Sequence, residues 1–82
     1  MKMLLTDNVV AEVKKGMISV EVVIEGGHTD HAPIGWAYVL ADRLVARGLE
    51  PRVQVRALGE PAHVLLNGRV YDQVCECVKE IA

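Results

Sequence analysis

The sequence predicts a small two-layer α/β (α+β) domain: a mixed sheet of four or five strands with two helices on one face. Three observations predict it. Valine-rich stretches alternate apolar and polar residues with a period of two, the pattern of a half-buried strand. Two segments carry apolar residues at helical spacing. Glycines fall at the joints, as Gly16, Gly26-Gly27, Gly48 and Gly68.

The elements follow in order. Asn8 to Glu25 reads as a hairpin, with Val9, Ala11 and Val13 alternating against Val10, Glu12 and Lys14. Ile18, Val20, Val22 and Ile24 then alternate against Ser19, Glu21, Val23 and Glu25. Lys15-Gly16 would be the turn; a short helix over Asn8–Lys15 stopped by Gly16 is the competing reading, and the β-branched valines favour the hairpin. Gly26-Gly27 ends the strand, Thr29 or Asp30 can cap a helix, and Pro33 fits its first turn. That helix runs to about Arg47, where Gly48 stops it. On its wheel Ile34, Ala37, Tyr38, Ala41, Leu44 and Val45 share one face, while Trp36 falls between Arg43 and Arg47.

Arg52 to Ala57 alternates cleanly, with Val53, Val55 and Ala57 opposite Arg52, Gln54 and Arg56. Ala62–Leu66 and Arg69–Tyr71 flank Asn67-Gly68, a pair that favours a two-residue hairpin turn. A last helix starts near Asp72, with Val74, Cys77, Val78 and Ile81 inward and Asp72, Glu76, Lys79 and Glu80 outward. The order is therefore β-β-α-β-β-β-α. The crossover through the first helix implies that the Ile18 and Val53 strands are parallel. One sheet face would stay open, carrying Glu21, Glu25, Arg52, Gln54 and Arg56.

Size and charge bound the function. With 82 residues there is room for a single domain, residues 1–82. Its core is thin and comes from aliphatic side chains, because Phe is absent and the aromatics are one Trp and two Tyr. The net charge of −2 and nine scattered basic residues leave no footprint for nucleic acid. The apolar run in MKMLLTDN is too short for a signal peptide, and no run reaches the roughly 20 residues of a membrane span. A cytoplasmic setting without a membrane is expected.

From Met17 onward the chain resembles the thioredoxin-like superfamily, in its minimal glutaredoxin-like and selenoprotein W-like forms. The stretch from Gly59 to Val70, GEPAHVLLNGRV, carries the resemblance. It implies a thioredoxin-like fold with Pro61 where the family has its cis-proline. The loop that holds the family's redox cysteine is here Gly26 to Pro33, without a thiol. Thiol–disulfide exchange needs a thiolate, so the family's redox activity is not implied.

Several constellations are candidates for function. His28, Asp30 and His31 are residue types that bind zinc, but a polar loop entering a helix is the preferred reading, with no metal or other cofactor. Gly26-Gly27 before a helix offers N–H groups to an anion; a strand end is preferred, because neither a dinucleotide nor a P-loop pattern follows. Together with Pro61 these residues form a possible ligand loop. Cys75 and Cys77 stand ~200° apart on a helix, cannot share a metal, and read as packing residues. His63 reads as structural. Trp36 with Arg43 and Arg47 is a candidate interface, since Trp and Arg dominate hot spots; the alternative is a Trp covered by Arg stems. Arg52, Gln54 and Arg56 form the other candidate interface.

The expected function is a small non-catalytic domain that binds a protein partner or itself as a homo-oligomer. The alternative is a thioredoxin-like enzyme or carrier with an altered His/Asp loop able to bind a metal. No catalytic residues are assigned.

Overall fold

The structure, a computed structural model, describes residues 1–27 and 32–82. Its elements are β1 (Lys2–Thr6), β2 (Val9–Lys15), β3 (Ser19–Gly26), α1 (Ala32–Ala46), β4 (Arg52–Gln54), β5 (Ala62–Asn67) and α2 (Tyr71–Ile81). One five-stranded sheet runs in the order β1-β2-β3-β5-β4, and every neighbouring pair is antiparallel. The architecture is α+β, with both helices against one face.

The β2–β3 hairpin forms as the alternation requires. Val9, Ala11 and Val13 face Val20, Val22 and Ile24 in a single core, which Ala62, Val64 and Leu66 of β5 extend. Gly16 donates its N–H to the Ser19 carbonyl at 2.8 Å and closes the turn. From the helices, Ala37, Leu40 and Leu44 of α1 and Val74, Cys75, Cys77 and Val78 of α2 complete the cluster. α1 stops through Gly48 in the left-handed region (φ 84°), with Gly48 N–H bonded to Val45 O and Leu49 N–H to Leu44 O. Those bonds satisfy carbonyls that the helix end would otherwise orphan.

Several expectations are corrected. Three strands precede α1 and two follow it, where two and three were expected, because Lys2–Thr6 adds an edge strand. The sheet is antiparallel rather than mixed. β3 and β4 do run the same way, but β5 lies between them and is antiparallel to both, so the crossover spans two strand positions. Asn67-Gly68 is no hairpin turn: Gly68 (φ 103°) donates to the Ile18 carbonyl at 2.7 Å, and the chain enters α2 at Tyr71 without a strand at Arg69–Tyr71. The thioredoxin-like order is therefore not seen, and the peptide bond before Pro61 is trans.

α1 is also rotated from its expected face. Leu40 is fully buried, whereas Tyr38 and Val45 are 54% and 60% exposed. Facing both the sheet and α2, the helix presents Ala37, Leu40, Ala41 and Leu44 inward. β4 is only three residues long, so Val55 and Ala57 fall outside it.

Candidate interaction surface on the uncovered sheet face

The sheet's second face has no layer over it among the described residues. Antiparallel registers fix what stands there, because side chains alternate between faces along each strand. One row across the strands reads Lys2, Glu12, Val23, His63, Gln54. The next reads Lys14, Glu21, Leu65, Arg52, and a third, shorter row reads Leu4, Val10, Glu25. Leu4, Val10, Val23 and Leu65 thus form a diagonal apolar band over four strands. Leu4 is 60% exposed, and the other three are half-buried by their neighbours alone.

Charge on this face is balanced and alternating. Lys2, Lys14 and Arg52 stand among Glu12, Glu21 and Glu25, with Lys2 directly across from Glu12 and Lys14 across from Glu21. Such cross-strand pairs contribute roughly 0.2–1 kcal/mol each. Near its centre His63 Nδ1 lies 3.3 Å from Glu21 Oε2. Beyond that pair the face dips into a cleft of about 390 Å³ lined by Glu21, Gln54, Arg56, Glu60, Pro61 and His63. The strands supply Glu21, Gln54 and His63, and the connection between β4 and β5 supplies the rest.

No family model matches the chain, and no curated protein or solved structure matches it either.

The sequence-predicted residues fall in several places. Arg52 and Gln54 stand on the uncovered face, while Arg56 and Pro61 line its cleft. Gly26 ends β3, where it pairs with Val9, and Gly27 follows it. His28, Asp30 and His31 lie outside the described residues, as does the Thr29 or Asp30 cap. Among the described residues no three His, Cys, Asp or Glu side chains converge on a metal position.

Arg43 and Arg47, expected beside Trp36 on α1, pair with carboxylates of α2. Arg47 bonds Glu76 at 2.7 Å and also Glu80, and Arg43 stands 3.8 Å from Glu80. These pairs clip α1 to α2, and the two carboxylates raise the Arg47 pKa further above its ordinary value. Trp36 packs half-buried against the core and borders a shallow apolar hollow with Ala32, Gly35 and Val39. Cys75 and Cys77 are free and buried, as packing residues should be, and burial pushes the Cys77 thiol pKa up. No helix among the described residues is long and apolar enough to cross a membrane.

Sequence reasoning missed Leu4, Val10, His63 and Leu65 as members of this surface. The signal for two of them was present: Ala62, Val64 and Leu66 alternate with His63 and Leu65, which puts the latter pair on the opposite face. Val10 was likewise readable from its alternation with Val9 and Ala11, whereas Leu4 becomes visible only once β1 is known to pair with β2.

Proposed function

We propose that this chain is a small association domain that binds a protein surface through the uncovered face of its sheet. The observation that carries this is the apolar band Leu4–Val10–Val23–Leu65 on a face that no element covers among the described residues. Aliphatic side chains at four neighbouring positions on a bare sheet lose hydrophobic stabilisation that a covering layer would restore, about 25 cal/mol for each Å² removed from water. Contiguous apolar surface rimmed by polar groups marks interaction sites. The layer rule agrees, since a sheet with apolar side chains on both faces calls for a third layer.

The rim suits recognition rather than catalysis. Arg52, Gln54 and Arg56 supply donors, and Glu12, Glu21 and Glu25 supply acceptors. Such a polar rim fixes partner and orientation while the apolar centre supplies affinity.

The test is native mass spectrometry of the chain recovered with its associated subunits under non-denaturing conditions. Val10→Lys or Leu65→Lys should strip the assembly, and Val45→Lys on the outer side of α1 should leave it intact. Assemblies lost only with the α1 variant would refute the assignment of the surface.

A further inference from the structure

We infer that the occupant of the uncovered face is a second copy of this chain, stacked sheet on sheet about a two-fold axis. This rests on the reading that the face is the binding surface, and it names the partner.

Charge is the first reason. A face of one sign would select an oppositely charged partner and repel its own copy. Here Lys2, Lys14 and Arg52 balance Glu12, Glu21 and Glu25 in alternation, so a copy meets both donors and acceptors at the rim of its twin. A two-fold interface must be complementary to itself. An alternating neutral surface with an apolar centre meets that requirement, and a highly charged partner such as a nucleic acid is not selected by it.

Area is the second reason. The 29 residues of the five strands, at ~3.4 Å each with ~4.8 Å between strands, cover roughly 470 Å² in plan. Side-chain relief brings this towards the ~800 Å² per partner of a stable interface. Stacked sheets sit ~10 Å apart, which the side chains of two such faces fill. The product is a four-layer α–β–β–α sandwich in which both chains bury their apolar bands.

The sheet edges argue against the other route to self-association, strand addition. β1 carries a register shift between Leu4 and Thr6, and β4 has three residues and follows Pro51. Bulges and very short strands are devices that blunt an edge.

The test uses the purified full chain in sedimentation velocity over a dilution series, with cysteine cross-linking beside it. The expected mass is twice 9.0 kDa, falling to the single-chain mass in Leu65→Lys with an unchanged far-ultraviolet spectrum. Val23→Cys, central on the face, should be joined into a covalent dimer by a short bismaleimide whose reach matches the ~10 Å between stacked sheets, and Val45→Cys on α1 should not. The native Cys75 and Cys77 are buried and do not interfere. Because Val23→Cys is mild, it reports even if Leu65→Lys fails to fold. A wild-type monomer at every concentration, with no Val23→Cys dimer, overturns the second copy and leaves the face to a foreign partner. A dimer that cross-links through Val45→Cys and not Val23→Cys overturns the face itself and the proposed function with it.

Discussion

Two glycine-to-alanine substitutions should move stability in opposite directions. Gly26 closes β3 at φ 99°, and a Cβ there would fall well inside van der Waals contact of the Asn8 carbonyl oxygen, with the Asn8 carbonyl carbon at 3.3 Å. Both obstacles are backbone, held by the Val9–Gly26 pairing. The left-handed conformation alone costs a side-chain residue about 1–3 kcal/mol, and the clash adds to it, so Gly26→Ala should lose at least ~2 kcal/mol. In a domain of this size 1 kcal/mol corresponds to ~4–8 °C in Tm, hence a drop of at least ~8 °C. Gly35 lies inside α1, where an added Cβ meets no atom within 4 Å. There Gly35→Ala removes the entropy cost of a helical glycine and should gain about 0.5–1 kcal/mol. Thermal and urea unfolding of both variants measures the contrast. A neutral Gly26→Ala would show that the end of β3 is not packed against Asn8 and that this register is wrong.

Other outcomes follow from the same contacts. Arg47→Ala should lower Tm slightly by unclipping α1 from α2, and the loss should shrink in high salt because the Glu76 and Glu80 partners are exposed. Cys75 and Cys77 should resist a thiol reagent in the folded chain and react together on unfolding in denaturant. The folded Cys77 pKa is raised, so the unfolded chain loses that proton first; Cys77 should therefore cost stability as pH rises through the ordinary thiol value of ~8.5, which pH-dependent urea unfolding of wild type against Cys77→Ala reads. Arg52→Glu should weaken association by leaving the face acidic, most strongly at low salt. Trp36→Ala should lower stability without changing the associated mass; if instead Trp36→Ala dissociates the chain and Arg52→Glu does not, α1 is the interface.

Local pattern carried much of the fold. The alternation of Val9–Val13 and Val20–Ile24 favoured the central hairpin over a short Asn8–Lys15 helix, and the β2–β3 pairing has the hairpin. α2 was legible for the same reason, its outward Glu76, Lys79 and Glu80 lying opposite Val74 and Val78. α1 was harder: APIGWAYVLADRLVA is apolar on most sides, so periodicity could not choose between the face holding Leu40 and the one holding Tyr38 and Val45. The placement of β5 between β3 and β4 is a long-range pairing that no local stretch records. Asn67-Gly68 misled because the positive φ that suits a tight hairpin equally suits the sharp entry into α2. For the candidate surface, Arg52 and Gln54 were readable from their own strand, whereas the apolar band exists only after β1 and β5 are set beside their neighbours.

The central claim is that association runs through the uncovered sheet face. Methyl chemical shifts of the isotope-labelled chain, followed on dilution, test it most directly. Leu4, Val10, Val23 and Leu65 should shift with concentration while Val39 and Val45 on α1 stay fixed. Shifts confined to Val39 and Val45, with the sheet methyls unmoved, would contradict it.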